Sequence, residues 1–221
     1  MNLGILYSGG KDSTLALMKA QKYHKVVCLI SIVSENKESF MFHTPNIDIT
    51  LLQSQAMEIP LVRVTTKGEK ESELADLKKA IKDAKTRFKI DGVVTGAVHS
   101  TYQASRIQKI CRELDLWCFN PLWLKDQVEL LKEVVSEKIH AIIGGVFAEP
   151  FDESYLGKEI DGRMIAKLSK LHNPAGEGGE IETTVLNAPV FHKKIVITKS
   201  SQEFKNYAGT YNIDDARLEP K

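Results

Sequence analysis

The sequence predicts an α/β fold: a mostly parallel twisted sheet with helices on both faces, followed by a smaller α+β unit. Two observations predict it. Short apolar runs alternate with stretches of helical periodicity up to about residue 148, and the alternation stops there. Repeated β-α-β units with short connections form parallel sheets that helices cover on both faces. We therefore expect one domain over residues 1–148 and a smaller C-terminal unit over residues 149–221.

The strands of the first domain are predicted from short apolar runs. Residues 25–33, for example, are almost entirely apolar, which is typical of a strand covered on both faces. The predicted strands are residues 3–7, 25–33, 60–65, 91–96, 116–119 and 140–146, the last of which completes the alternation.

The helices are predicted from apolar residues at helical spacing. Between residues 69 and 88 these are Leu74, Leu77, Ile81, Ala84 and Phe88. Similar stripes predict helices directly after Gly10, over residues 47–57, around 107–114 and around 128–135. In the smaller unit we expect a helix over 162–171, a strand over 190–198 and a polar tail over 207–221.

Composition and charge argue against several classes of protein. With 30 Lys and Arg against 29 Asp and Glu, the chain has no overall basic footprint, so we expect no stable nucleic acid partner. The cysteines, Cys28, Cys111 and Cys118, have no metal-ligand spacing and are expected to be reduced. No apolar run approaches the ~20 residues that span a bilayer, so we expect a cytoplasmic protein without membrane contact.

A phosphate-binding loop is predicted between the first strand and the first helix. Unpaired N–H groups, the positive end of the helix dipole and Lys11 meet there, and glycine lets the backbone approach an anion. Neither the Walker A spacing nor the Rossmann spacing is present. An ordinary glycine-rich turn is the alternative interpretation. The loop residues are Ser8, Gly9, Gly10, Lys11, Asp12 and Ser13.

Residues that follow the predicted strands indicate the rest of a site, because ligands of open parallel sheets bind beyond the carboxyl ends of the strands. A single histidine in such a place is more often structural, and a surface salt bridge explains Arg106 equally well. Their clustering at one edge favours a functional interpretation. The candidates are His43, His99, Tyr102, Gln103, Arg106 and Trp123.

Carboxylates are crowded in a glycine-rich segment late in the chain. Glu177, Glu180 and Glu182 lie close together around Gly178 and Gly179. Like charges at this spacing are costly unless a cation or an ammonium-like substrate relieves them. A flexible acidic surface turn is the alternative, but three carboxylates in one place favour a binding site.

Five sequence motifs point to one enzyme family. They are S-G-G-K-D-S at 8–13, F-M-F-H-T-P-N at 40–46, G-A-V-H-S-T-Y-Q-A-S-R at 96–106, N-P-L-W at 120–123 and G-E-G-G-E-I-E-T at 176–183. The first motif alone resembles the PP-loop of ATP pyrophosphatases. The whole set resembles the diphthine–ammonia ligase (diphthamide synthase) family, in its short archaeal-type form, over nearly the whole chain. Ile181 departs from the pattern, because an aromatic residue is expected there.

The resemblance implies an ATP-binding first domain, a substrate-binding C-terminal unit and the last step of diphthamide formation on elongation factor 2. ATP would adenylate the carboxylate of diphthine with loss of pyrophosphate, and ammonia would then displace AMP. The catalytic residues would be Lys11, Asp12, Glu177 and Glu182, with Asp12 also helping to hold Mg²⁺. The phosphate-binding loop, residues 8–13, would bind ATP. The substrate would be bound by the candidates that follow the strands, namely His43, His99, Tyr102, Gln103, Arg106 and Trp123, and by Glu177, Gly178, Gly179 and Glu180.

Diphthine carries a quaternary ammonium group beside its carboxylate. The resemblance implies that the crowded carboxylates meet this cation or deprotonate ammonium. Trp123 or Tyr102 would offer it a cation–π contact.

Two alternatives stay open. Another adenylating PP-loop enzyme, such as one that modifies a tRNA base, would share the phosphate loop but needs a basic RNA-binding surface. A nucleotide-binding module without turnover explains the phosphate loop but not the crowded carboxylates. We also allow for a homodimer.

Overall fold

A computed structural model describes residues 1–36, 45–68 and 70–221 of the chain. His43 and most of the motif at 40–46 lie outside the described residues, so the predicted role of this histidine stays a prediction. The other predicted site residues all lie within the described part.

The first sheet has five parallel strands, which confirms the predicted α/β class. The strands are β1 (Asn2–Leu6), β2 (Lys25–Ser34), β3 (Leu61–Thr66), β4 (Gly92–Val94) and β5 (Trp117–Phe119). Their order across the sheet is β3-β2-β1-β4-β5, so the chain starts in the middle and builds outwards on both sides. The end of β1, where the phosphate loop begins, is therefore central in the sheet.

Helices cover both faces of this sheet. The α-helices of the described residues are α1 (Lys11–Gln21), α2 (Ile49–Met57), α3 (Lys70–Phe88), α4 (Thr101–Glu113), α5 (Gln127–Ser136) and α6 (Gly162–Leu168), the last of which packs against α5. Side chains of Ser100, Asp126 and Asp161 cap the N-termini of the last three by accepting backbone hydrogen bonds. The N-cap of α1 is Gly10, which has no side chain to occupy the first N–H groups of that helix. No helix in the described part of the chain is long and apolar enough to cross a membrane.

Four antiparallel strands form a second sheet. They are β6 (His140–Phe147), β7 (Ile181–Asn187), β8 (Lys193–Lys205) and β9 (Ala208–Pro220), in the order β7-β6-β9-β8. Strands β8 and β9 make a long hairpin, whose two-residue turn is Asn206 and Tyr207, both with positive φ.

Two expectations about these strands are wrong. Residues 140–146 were expected to complete the parallel sheet, but β6 pairs antiparallel with β7 and β9. A central strand is apolar on both faces in either kind of sheet, so its composition does not decide between them. Residues 207–221, expected as a polar tail, mostly form β9, whose exposed positions gave it a polar composition. The division of the chain into units at residue 148 stays a prediction.

Two hydrophobic clusters hold the layers together. One lies between the first sheet and helices α3 and α4, and it contains Cys28 and Cys111 as buried, unpaired cysteines. The other surrounds α1 and continues from β1 through α5 to β6 and β7. Because both sheets contribute to this second cluster, it packs the second sheet against the α1 side of the first sheet.

Leu17 of α1 is completely buried in the cluster that both sheets share. Leu17→Ala leaves a cavity there, so we expect the free energy of unfolding to fall by about 2–5 kcal/mol. Leu51→Ala, at a leucine of α2 that is 43% exposed, is the control and should cost under about 1 kcal/mol. Chemical denaturation measures both values, and equal losses would contradict the central place of α1 in the core.

Candidate functional site

The phosphate loop, residues 8–13, turns the chain from β1 into α1. Gly9 has a φ of +83°, a left-handed conformation that residues with a side chain rarely adopt. A Cβ at Gly9 would lie 2.6 Å from Oε1 of Gln53, and one at Gly10 would lie 3.2 Å from the carbonyl oxygen of Thr183. The left-handed backbone therefore requires glycine at position 9, and close packing against Thr183 favours it at position 10.

Strand β7 holds the phosphate loop in place. Val185 N donates a hydrogen bond to Gly9 O (2.9 Å), and Lys11 N donates one to Thr183 Oγ1 (3.1 Å). Gln53 Nε2 donates a further bond to Gly9 O (2.9 Å) from α2. Sequence reasoning missed both Gln53 and Thr183. A glutamine among the apolar residues of a helix was a usable signal for the first, whereas a threonine in a strand carries none.

Lys11 lies between the phosphate loop and a later part of the chain. Its side chain is 3% exposed, and its Nζ donates hydrogen bonds to Asp12 Oδ2 (2.8 Å) and Ala175 O (2.7 Å). A buried ammonium needs such partners, because its desolvation is costly. The other oxygen, Asp12 Oδ1, is buried and has no hydrogen-bond partner among the described residues. The phosphate loop thus contains a hydrogen-bonded ammonium, that of Lys11, next to a carboxylate oxygen of Asp12 that has no hydrogen-bond partner among the described residues.

Ala175 belongs to a compact segment, residues 173–182, called the acidic loop below. Glu180 folds this loop, because its Oε1 accepts a hydrogen bond from Asn173 Nδ2 (2.6 Å) and its Oε2 accepts one from Gly178 N (2.9 Å). Gln127 of α5 fastens the loop by accepting a bond from Ala175 N (2.9 Å). Since both oxygens of Glu180 serve the loop itself, its contact with a substrate stays a prediction.

Glycines allow the acidic loop to be compact. Gly176 and Gly179 have φ values of +81° and +86°, and a Cβ at Gly178 would lie 2.5 Å from Glu180 Oε1. These conformations account for the glycines as folding requirements. Substrate contacts through Gly178 and Gly179 stay predictions.

Glu177 and Glu182 bring negative charge close to Lys11 and Asp12. Glu177 Oε2 accepts a hydrogen bond from His99 N (3.0 Å), which joins the acidic loop to the segment after β4. Burial raises the pKa of Glu177, and the negative charge of Asp12 acts in the same direction.

Glu182 is the more strongly perturbed of the two carboxylates. It lies on β7, and no hydrogen bond to its carboxylate is found among the described residues. Burial raises the pKa of Glu182 to about 7; the charge of Lys11 opposes this shift, and the charges of Asp12 and Glu177 add to it. A carboxyl group with a pKa near neutrality can take up or release a proton at the pH of a cell.

The described candidates that follow the strands of the first sheet, His99, Tyr102, Gln103, Arg106 and Trp123, are only partly brought to Lys11 and the carboxylates. His99 takes part through its backbone N–H, while its side chain is exposed. The Arg106 guanidinium stacks on Tyr102, with Cζ 3.3 Å from the ring centroid. Gln103 and Trp123 are half-buried, and the described part of the chain shows no hydrogen bond from either side chain. Substrate binding by these residues stays a prediction.

Two serine hydroxyls face each other in the phosphate loop. Ser8 Oγ and Ser13 Oγ lie 3.3 Å apart across it. Among the described residues, no three His, Cys, Asp or Glu side chains are grouped so that they could hold a metal ion. In nucleotide sites, however, Mg²⁺ takes only one or two carboxylates and completes its shell with phosphate oxygens and water. The unpartnered Asp12 Oδ1 fits a shared site of that kind.

The raised pKa of Glu182 predicts a pH-dependent stability. The folded state keeps a proton on Glu182 up to about pH 7, whereas the unfolded chain loses it near the ordinary value of 4.5. The ionised carboxylate therefore costs stability progressively as the pH rises from 4.5 to above 7. We expect Glu182→Gln to raise the free energy of unfolding by about 3 kcal/mol at pH 8 and by under about 1 kcal/mol at pH 5.

Thermal or chemical unfolding across this pH range measures the effect of Glu182→Gln. The control is Glu203→Gln, at an exposed carboxylate of β8, which should change stability little at either pH. A Glu182→Gln variant that is less stable than the wild type at pH 8 would show that the ionised carboxylate is well compensated in the folded protein.

Comparison with known proteins matches the chain to one family of enzymes. A model of the diphthamide synthase N-terminal domain matches residues 1–117, and a model of the diphthamide synthase C-terminal domain matches residues 126–218. The diphthine–ammonia ligase of Bos taurus is 33% identical over 224 residues, which cover 90% of this chain and 84% of that protein. The diphthine–ammonia ligase of Schizosaccharomyces pombe is 35% identical over 215 residues, 87% of this chain and 35% of that protein.

Solved structures include a more distant neighbour. A predicted subunit of tRNA methyltransferase from Methanocaldococcus jannaschii superposes with a TM-score of 0.44 at 16% identity, covering 86% of this chain and 98% of that one. The resemblance of the sequence motifs is confirmed by the two domain models and by the relatives of 33% and 35% identity. The chain belongs to the diphthamide synthase family.

Proposed function

We propose that this protein is an ATP-dependent ligase that amidates the diphthine residue of elongation factor 2 with ammonia. The products are diphthamide, AMP and pyrophosphate, formed through an acyl-adenylate. Relatives of this chain are named diphthine–ammonia ligase, and its family is diphthamide synthase. The observation that carries the proposal is the position of Lys11, which joins an anion-binding loop to a cluster of carboxylates.

The phosphate loop binds ATP for the adenylation step. In that step a carboxylate oxygen of diphthine attacks the α-phosphorus of ATP, and pyrophosphate leaves. Negative charge gathers on the leaving group, and the N-terminal N–H groups of α1 and the Lys11 ammonium stabilise it. An ammonium has three N–H donors. Two are used by Asp12 and Ala175, which leaves the third for a phosphate oxygen.

Asp12 and the two serines complete the phosphate site. The Ser8 and Ser13 hydroxyls, which are hydrogen-bonded to each other (3.3 Å), would exchange that bond for phosphate oxygens when ATP binds. Mg²⁺ would be held by Asp12 Oδ1 together with the phosphates, and when bound it would neutralise charge on the leaving group.

Glu182 supplies the proton acceptor of the amidation step. Ammonium transfers a proton to the Glu182 carboxylate, and the resulting ammonia attacks the carbonyl carbon of the acyl-adenylate. The carbon–oxygen bond to AMP breaks, and the nitrogen loses a second proton to water as the amide forms. A carboxyl group with a pKa of about 7 suits this role, because an acid–base catalyst works best with a pKa near the operating pH.

The trimethylammonium group of diphthine requires a site outside this buried centre. Glu177 lies between the phosphate loop and the exposed His99, so its carboxylate can attract that cation. Of the two aromatic candidates, Tyr102 already has Arg106 against its ring. Trp123 is therefore the better partner for a cation–π contact. We also propose that the protein is cytoplasmic, that it has no stable nucleic acid partner and that it forms a homodimer.

Incubation with ATP, ammonium and elongation factor 2 that carries diphthine tests the proposal. We expect the mass change of an acid converted to its amide, together with AMP and pyrophosphate. The control reaction uses elongation factor 2 that already carries diphthamide in place of diphthine. Release of ADP would contradict the adenylation chemistry, and turnover that depends on tRNA would favour a tRNA-modifying enzyme.

Glu182→Gln separates the two chemical steps. We expect ATP–pyrophosphate exchange to change by less than about tenfold, and amide formation from ammonium to fall by about 10²–10⁴-fold, because a general base is lost. Hydroxylamine, which is mostly unprotonated at neutral pH, should restore turnover as the nucleophile. Glu203→Gln is the control and should leave both steps unchanged. Equal loss with ammonium and hydroxylamine would remove Glu182 from the role of proton acceptor.

A further inference from the structure

Gln53 of α2 is a glutamine in an unusual place. Its side chain is 0% exposed, although glutamine is mostly found at protein surfaces. Its Nε2 donates hydrogen bonds to Gly9 O (2.9 Å) and to Val185 O (2.7 Å). Both partners are carbonyl oxygens, so only the amide NH₂ can make these bonds. Gln53 thus links α2, the phosphate loop and β7 through its one side chain.

The bond to Gly9 O sets the direction of the neighbouring N–H group. The Gly9–Gly10 peptide is trans, so its C=O and N–H point in opposite directions. The Gly9 carbonyl points towards Gln53 and Val185, and the Gly10 N–H therefore points away from them. The Gly10 N–H donates no hydrogen bond to any described residue, so it is available to a ligand.

This peptide needs a restraint because glycine is on both sides of it. Gly9 has a φ of +83°, and glycine crosses easily between backbone regions, so the peptide plane can rotate at low cost. Rotation would turn the carbonyl oxygen, a partial negative charge, towards the phosphate site. Val185 N alone gives Gly9 O one hydrogen bond, and Gln53 supplies the second.

We infer that Gln53 is a positioning residue, which holds the Gly9–Gly10 peptide so that the Gly10 N–H is presented to the terminal phosphates of the nucleotide. Gln53 itself does not touch the nucleotide. The inference rests on the proposed function only in that the phosphate loop binds the pyrophosphate part of ATP.

Gln53→Met tests the inference, because methionine has a similar length and cannot donate a hydrogen bond. Gln55→Met is the matched control, since Gln55 is exposed on the same helix. We expect Gln53→Met to weaken the binding of ATP and of pyrophosphate by about 10- to 100-fold. AMP lacks the terminal phosphates, so its affinity should change by less than about threefold, and Gln55→Met should change none of the three.

A residue that only supports folding would give a different pattern. It would lower the melting temperature and either leave all three affinities unchanged or weaken them equally, and either result overturns the inference. If the Gln53→Met variant does not fold, the NMR spectrum of the backbone amides of the wild-type protein tests the inference. The Gly10 N–H resonance should shift on addition of pyrophosphate, and an unshifted Gly10 resonance overturns the inference.

The outcomes separate this inference from the proposed function. One outcome is that pyrophosphate binding depends on Gln53 as predicted, while the wild-type protein forms no amide. This outcome supports the inference and contradicts the ligase function. Amide formation together with an unselective effect of Gln53→Met contradicts the inference alone. Wild-type protein that binds neither ATP nor pyrophosphate contradicts both.

Discussion

The burial of Lys11 is the constraint on which the rest of the site depends. An ammonium removed from water must find partners, and Lys11 finds Asp12 beside it and the Ala175 carbonyl 164 residues further along the chain. The acidic loop is therefore held against the phosphate loop by the solvation requirement of one charge. Gln127 and Thr183 strengthen the same junction from α5 and β7, so the loops of the two sheets meet in one place.

Opposite charges lie close together within this junction. The N-terminus of α1 and Lys11 favour an anion, while Glu177 and Glu182 favour a cation, and the two sets of groups influence each other directly. Burial disfavours the ionised form of Glu182, and the charge of Lys11 offsets this only in part because Asp12 and Glu177 are also close. The pKa of Glu182 is therefore raised to about 7. A positive charge close to Glu182 would relieve this imbalance.

The motifs of the sequence include two segments that the fold brings together, residues 8–13 and 176–183, but they do not show what each residue does. Glu177, Glu180 and Glu182 are indistinguishable as members of one acidic motif. In the folded chain Glu180 holds its own loop together, Glu177 accepts a bond from His99, and Glu182 is a half-buried residue on a strand. These differences depend on the turns at the loop glycines and on contacts with distant segments, neither of which local spacing reveals.

The sequence by itself determined the parallel sheet of the first domain and the phosphate loop, because hydrophobic periodicity and a glycine-rich strand-to-helix turn are local properties of the chain. Only the tertiary structure decided that β6 joins an antiparallel sheet and that β7 anchors the phosphate loop. It also decided that Gln53 is buried beside Gly9, and that a carboxyl group titrates near neutrality. Each of these depends on segments far apart in sequence, and burial and electrostatic interactions arise only when folding brings such segments together.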